Sequence, residues 1–205
     1  MRTRLTPVLI LGLSACAQSV QAAEYLHPRL QSGEKTIRAV VALPSKAAVH
    51  TLYAWIGRTD ALPEEFDALA EKLSSTVIAT LRARGWQVQQ DLLGAAALER
   101  KPLLKFSVDV LQAEFDRLAV ELGSDAKGVR KGRYSLAGDL RKLGLEGQVD
   151  ALVFIRGSHL KGAVRGKYTA VTLVDVSDGG VLFHFGANSV DVGPELLRSL
   201  QKVPR

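Results

Sequence analysis

Residues 168–185 read YTAVTLVDVSDGGVLFHF, and this stretch decides the fold class. Its first part, residues 168–176, is long, mostly apolar and rich in β-branched side chains, which is typical of a covered strand. Residues 177–180 (SDGG) supply the glycines that a tight turn requires, and residues 181–185 lead back along the first strand. The stretch therefore predicts a β-hairpin with two largely buried strands.

Three other segments predict strands of the same sheet. Residues 150–155 (DALVFI) and residues 36–43 (TIRAVVAL) are apolar on both faces, as expected of central strands covered on both sides. Pro44 ends the second of these, and residues 86–89 (WQVQ) form a short alternating segment. The residues between Pro44 and Asp60 show no clear period and are predicted to be irregular.

One amphipathic helix is well marked between the predicted strands at residues 36–43 and 86–89. Pro63 and the acidic residues around it suit a helix start, and Gly85 suits a helix end. The apolar side chains between them keep a spacing of three to four and form one stripe, namely Phe66, Leu69, Leu73, Val77 and Leu81. The segment predicts a helix that covers one face of the sheet.

The middle of the chain predicts further helices. Residues 95–100 form a short helical segment that Pro102 stops, and residues 108–123 carry the apolar stripe of a longer helix. Residues 135–144 predict a third helix, because serine begins it as a cap and glycine ends it.

Taken together, these elements predict an α/β (α+β-like) fold in one domain of residues 36–190. The predicted order is β-α-β-α-α-β-β-β, a mixed sheet of about five strands with three to four helices packed on it. Residues 1–15 are interpreted as a signal peptide, residues 16–35 as a tether and residues 191–205 as a C-terminal tail.

The N-terminus predicts export across a bacterial inner membrane. Two arginines precede an apolar run that is shorter than the roughly 20 residues of a membrane span, as in a secretory signal. Residues 13–16 (LSAC) resemble the lipobox of bacterial lipoproteins, so Cys16 is the expected lipidation site. Cleavage after Ala22 is the alternative and would leave a soluble periplasmic protein. By the same resemblance, Ala17 suits transfer to the outer membrane.

Composition limits the classes of partner. Hydrophobic residues make up 47% of the chain and charged residues 23%, which predicts a packed core rather than disorder. The formal charge of +6 falls to +4 when Arg2 and Arg4 leave with the signal. We expect no nucleic acid at an exported protein, whereas anionic headgroups or wall polymers are suitable partners. Cys16 is the only cysteine, so an internal disulfide is excluded.

The element order resembles a known α/β domain. It is shared by the curli-secretion lipoprotein family, the N-terminal domain of TolB and the envelope lipoproteins that activate penicillin-binding proteins. The likeness is carried by the strand ending at Pro44, the helix ending in residues 82–86 (RARGW), the strand at residues 150–155 and the hairpin at residues 173–182. The resemblance implies a periplasmic binding or scaffold domain on a lipid tether.

No residue pattern predicts a catalytic or metal site. His27, His50, His159 and His184 are scattered, and Ser158 lies beside His159 on a predicted strand, where neighbours point to opposite faces. The glycine-rich residues 162–167 (GAVRGK) are too short for a phosphate-binding loop and predict a hairpin loop instead. We therefore expect no cofactor and no metal.

Two basic clusters are candidate contacts for an anionic surface. Lys127, Arg130, Lys131 and Arg133 form the first, and Lys161, Arg165 and Lys167 surround the predicted hairpin loop. About 1 kcal/mol for each basic residue near an anionic surface would add to a lipid anchor, although solvated loop charge also explains both clusters.

The leading hypothesis is a non-enzymatic envelope lipoprotein that binds a protein partner or an envelope polymer. The alternatives are a component of a trans-envelope secretion or transport assembly, and a hydrolase or transferase with a site assembled from distant residues. Neither the partner nor the oligomeric state follows from the sequence.

Overall fold

The computed structural model describes residues 24–53, 58–124, 135–136, 140–145, 147–162 and 165–204. The strands in these ranges are β1 (Glu24–Leu26), β2 (Ala39–Ala42), β3 (Lys46–Tyr53), β4 (Arg58–Ala61), β5 (Gln87–Val88), β6 (Ala151–Gly162), β7 (Gly166–Asp175) and β8 (Val181–Ala187). The α-helices are α1 (Pro28–Gln31), α2 (Phe66–Ala83), α3 (Gln90–Leu93), α4 (Ala95–Arg100), α5 (Pro102–Ser124) and α6 (Gly193–Leu200). Two short 3-10 helices span Pro63–Glu65 and Leu140–Leu143.

Strand β6 organises a mixed sheet in the order β1-β8-β7-β6-β2-β5. It pairs antiparallel with β7 along one edge, and with both β2 and β3 in parallel along the other. Pro44 separates β2 from β3, since a proline has no N–H to donate to the ladder. Strand β4 then pairs antiparallel with β3.

Both faces of the sheet are covered, as the apolar central strands predict. One core contains Leu73, Val77 and Leu81 of α2 together with Leu196 and Leu200 of α6. The other core contains the buried stripe of α5, which consists of Val108, Leu111, Phe115, Leu118 and Leu122. The predicted single α/β domain with a mixed sheet is confirmed, and it has three layers.

The strand count of about five is wrong, because the described residues form eight strands. The stretch after Pro44 is not irregular: β3 and β4 form a hairpin there. Sequence periodicity did not show it because β3 pairs with the half-exposed end of β6 and needs no continuous apolar face.

The predicted tether and tail also differ from the structure. Residues 24–35 belong to the domain, because β1 pairs with β8 and Leu30 of α1 is fully buried in the core. Helix α6 lies in the predicted tail and packs against α2, and the Arg84 Nε donates a 3.0 Å hydrogen bond to the carbonyl of Leu200. Only residues 16–23 remain as the predicted tether.

In the middle of the chain, the short helix before Pro102 and the long helix after it are confirmed, although α5 begins at Pro102 itself. Residues 137–139 of the third predicted helix lie outside the described residues. Of its described part, Leu140–Leu143 form a 3-10 helix rather than an α-helix, and Ser135 forms an isolated bridge with Gly180. None of the helices in the described ranges has the length and apolar character to cross a membrane.

Candidate functional site

The first set of predicted site residues lies outside the described residues. This set comprises Cys16 and the basic cluster Lys127, Arg130, Lys131 and Arg133. Their predicted roles in lipidation and in anionic-surface contact stay predictions. The second basic cluster is described, and it surrounds the hairpin between β6 and β7.

The most exposed apolar surface of the described residues lies on α5. Leu103 is 86% exposed, Phe106 is 69% exposed and Val110 is 44% exposed. We call these three residues the outer patch. Their spacing of three and four places them along one side of the helix. Exposed apolar side chains clustered in this way mark a contact surface for another molecule more often than scattered single ones do.

The outer patch and the buried stripe occupy different sides of α5. At 3.6 residues per turn their centres are roughly 130° apart around the axis. Helix α5 therefore carries two apolar faces, of which only one is used by the core. The sequence contained this signal, but the periodicity of the buried stripe explained the helix without it.

Contacts at the centre of α5 fix the helix on the sheet. The rings of Phe115 and Phe154 stack with centroids 4.0 Å apart, and the Arg156 guanidinium lies 4.9 Å from the Phe115 centroid. Asp116 accepts hydrogen bonds from Arg156 at 2.7 Å and from Lys46 at 2.8 Å. Burial alone would raise the pKa of the Asp116 carboxyl, but these two cations outweigh burial and lower it. The outer patch is thus presented on a firmly held helix.

Acidic residues border the outer patch. Asp109 is exposed on one side, and Glu114 is half-buried on the other. The Oε2 of Glu114 is inaccessible to solvent and has no hydrogen-bond donor among the described residues. The cation Arg117 follows two turns after Val110 on the same side of the helix and ends the apolar surface. The border therefore favours a molecule that brings basic groups to the margins of the patch.

A cleft of about 570 Å³ lies at the start of β2 and β6. Asp150 lines it and accepts hydrogen bonds from the backbone N–H groups of Arg38 and Ala39 at 2.7 and 2.9 Å. These bonds hold the entry to β2, so Asp150 has a structural role. The sequence did not predict this arrangement, because the residues are far apart along the chain.

Asp175 lines the same cleft, and its side chain is fully buried. Its Oδ1 accepts hydrogen bonds from Ser177 and from Lys35 Nζ at 2.9 Å. Burial would raise the pKa of Asp175, but these hydrogen bonds outweigh it and lower the pKa. Because Lys35 lies between α1 and β2, the pair fastens the N-terminal segment to the end of β7.

The histidines do not converge. His184 is buried in β8, where its Nδ1 lies 2.8 Å from the Thr172 hydroxyl, and burial lowers its pKa to about 4. His159 lies on β6 beside the basic hairpin. Within the described ranges, no group of three His, Cys, Asp or Glu side chains is placed to hold a metal ion.

The basic hairpin forms a second candidate surface. A cleft of about 430 Å³ is lined by His159, Lys161, Gly162, Arg165 and Lys167. Lys161 is paired with Glu65 at the start of α2. In the described part of the chain, no carboxylate forms an ion pair with Arg165 or Lys167, and both are exposed. The structure therefore brings the second predicted basic cluster together around one cleft.

No protein-family model and no curated protein matches the sequence. Among solved structures, the chain is similar to lipoprotein GNA1162 from Neisseria meningitidis, with 11% identity, a TM-score of 0.42 and coverage of 80% of this chain and 95% of that chain. It is also similar to PelC from a dodecamer of Paraburkholderia phytofirmans, with 12% identity, a TM-score of 0.35 and coverage of 90% and 98%. The C-terminal domain of LpoB from Salmonella enterica has 13% identity, a TM-score of 0.32 and coverage of 77% and 90%. At these values the likeness does not identify a function for the chain.

Proposed function

We propose that the chain is a non-enzymatic binding domain of the bacterial envelope, and that it binds a protein partner through the outer patch of α5. The observation that carries the proposal is the exposure of Leu103, Phe106 and Val110 on a helix whose other side is already packed. The signal-peptide pattern at the N-terminus supports the location.

The border of the patch determines the chemistry of the partner. Asp109 and Glu114 would face like charges if the patch met the same patch of a second copy, and they would also be repelled by anionic lipids. A partner with an apolar segment flanked by lysine or arginine satisfies both the apolar surface and the acidic border. We therefore propose a heterologous protein with a basic margin around its contact surface.

Site-specific photocrosslinking in the native envelope tests the proposal. A photoreactive amino acid at Phe106 is expected to capture one protein that the same group at exposed Arg198 does not capture. The purified partner should then bind the wild-type domain, and L103S/F106S should weaken binding by more than about tenfold, since both apolar anchors are lost without a change of charge.

Two outcomes contradict the proposal. One is a crosslinked product that contains only a second copy of the chain, which would make the patch a self-association surface. The other is equal affinity of the wild type and L103S/F106S for the captured protein. Because both substituted residues are exposed, circular dichroism should show an unchanged fold and exclude unfolding as the cause of lost binding.

A further inference from the structure

Strand register places the start of the domain and the basic hairpin at the same end of the sheet. Glu24 pairs with Phe185 of β8, which pairs with Val171 of β7, which pairs with Ile155 of β6. Because β1 runs antiparallel to β8, the N-terminal end of β1 faces the end of the sheet at which β6 turns into β7. An anchor at Cys16 would therefore join the described domain on the side of the hairpin.

The distance by which the hairpin projects is within the reach of the segment from Cys16 to Glu24. Lys161 lies beyond Ile155 on β6, so the hairpin projects about 20 Å past the level of Glu24 at ~3.3 Å per residue. The chain from Cys16 to Glu24 can span at most about 29 Å when fully extended. An acylated Cys16 can therefore sit in a bilayer whose surface is in reach of the hairpin.

The charge at the hairpin suits an anionic surface. Arg165 and Lys167 are exposed on the rim of the cleft, whereas Lys161 is neutralised by Glu65. Asp191 is close enough for Lys167 to help lower its pKa, but its ion pair is with Lys72 at 2.7 Å. The pKa of His159 is lowered, first by burial and then by Lys167 and Lys161, while Glu65 acts in the opposite direction.

An aromatic residue lies at the same end. Tyr53 ends β3, immediately after the pairing of Leu52 with Gly162, and is 39% exposed. Tyrosine is enriched at the level of lipid headgroups because it combines an apolar ring with a polar hydroxyl.

We propose that the β6–β7 hairpin is a second membrane contact, in which Arg165 and Lys167 bind phosphate groups of anionic phospholipids in the leaflet that holds the acylated Cys16. This contact is independent of the outer patch. A lipid chain alone leaves a tethered domain free to rotate, whereas the added contact at the hairpin fixes its orientation. The outer patch would then be presented in a constant direction to its partner.

Fluorescence resonance energy transfer between the domain and the bilayer measures this orientation. The full lipidated chain is placed in nanodiscs of phosphatidylcholine with or without phosphatidylglycerol, and acylation is first checked by intact mass. Acylation blocks the thiol of Cys16, the only cysteine, so one added cysteine takes a donor dye. Exposed Thr59 pairs with Leu52 at the hairpin end, and exposed Ser32 follows α1 near the start of β8. The acceptor dye is carried by the lipid headgroup.

We expect stronger transfer from T59C than from S32C, and a further rise at T59C when phosphatidylglycerol is added. R165Q/K167Q should weaken the apparent affinity of the hairpin for the phosphatidylglycerol bilayer by about 30-fold, at about fivefold for each cation removed. The rise in transfer at T59C should be lost accordingly. The matched control K101Q/R198Q removes the same charge from exposed residues outside the hairpin, Lys101 between α4 and α5 and Arg198 on α6, and should leave transfer unchanged.

Equal transfer from T59C and S32C in phosphatidylglycerol bilayers would overturn the proposal. An equal loss in K101Q/R198Q would also overturn it, because net charge rather than the hairpin would then be responsible. A mature protein without acyl mass would also overturn the proposal, because the contact is proposed in the leaflet that holds the acylated Cys16. None of these results affects the test of the outer patch, because that test measures binding of a purified protein partner to α5 and not contact of the hairpin with lipid.

Discussion

Gly157 of β6 lies directly beneath Leu73 of α2, so that a Cβ placed on Gly157 would overlap the Cδ1 of Leu73. Leu73 is fully buried and cannot move its side chain into solvent. The missing side chain therefore allows α2 to approach the sheet closely where the apolar half of β6 gives way to its polar half.

Gly157→Ala should lower the free energy of unfolding by about 1–3 kcal/mol, because the methyl group overpacks the core. Urea unfolding measures the change. The control is Gly166→Ala, where the added methyl would meet only the Cβ of Leu160 at 3.9 Å and should cost less.

A double-mutant cycle identifies the cause. Leu73→Val removes the overlapping Cδ1, so Gly157→Ala should cost at least about 1 kcal/mol less in that background. Additive effects of the two substitutions would contradict a direct clash between these residues.

Arg156 should stabilise the domain mainly by its contacts with residues of α5. Its side chain is 15% exposed, lies over Phe115 and donates hydrogen bonds to Asp116 and Gln112. Arg156→Ala should cost about 2 kcal/mol in urea unfolding, since it removes a charge-assisted bond and a cation–π contact. Asp116→Asn should cost less, about 1 kcal/mol or below, because Asp116 is 44% exposed. A larger loss for Asp116→Asn than for Arg156→Ala would contradict this assignment.

The N-terminal segment should be required for full stability. A chain that begins at residue 24 should unfold at the same urea concentration as one that begins at Cys16. A chain that begins at residue 36 should lose at least about 3 kcal/mol, because it lacks β1 and the buried Leu30. Equal stability of all three would show that residues 24–35 are a tether after all.

The sequence predicts the parts of this fold that depend on local pattern. The buried hairpin of β7 and β8, the apolar start of β6 and helices α2 and α5 all carry a clear period and suitable ends. Strand β1 has only three residues and is stabilised by pairing with β8, so no local pattern reveals it.

The candidate surfaces were predictable to different degrees. Arg165 and Lys167 stand out in the sequence, but their position relative to Glu24 follows only from the register of four strands. The outer patch was visible as a second row of apolar residues on α5, but exposure distinguishes it from core packing only once the buried stripe is known. An exposed apolar surface can be identified only from the packed structure, because the sequence does not show which apolar residues the core covers.

His184 should make the domain less stable in acid. Burial lowers its pKa to about 4, whereas the pKa in the unfolded chain is about 6.5. The unfolded chain therefore binds the proton first, so the stability is complete above pH 6.5 and is lost as the pH falls towards about 4. Between pH 7.5 and pH 5 the loss from this residue should be about 2 kcal/mol.

His184→Asn provides the matched comparison, because an asparagine amide can occupy the position of Nδ1 and bond the Thr172 hydroxyl without titrating. Urea unfolding at pH 7.5 and pH 5 should show a smaller drop in the variant than in the wild type. Other groups with lowered pKa values, such as His27 and Asp175, are present in both proteins and cancel in the difference. Equal drops in the two proteins would mean that His184 takes up its proton without cost, and that the buried pair with Thr172 opens well before the domain unfolds.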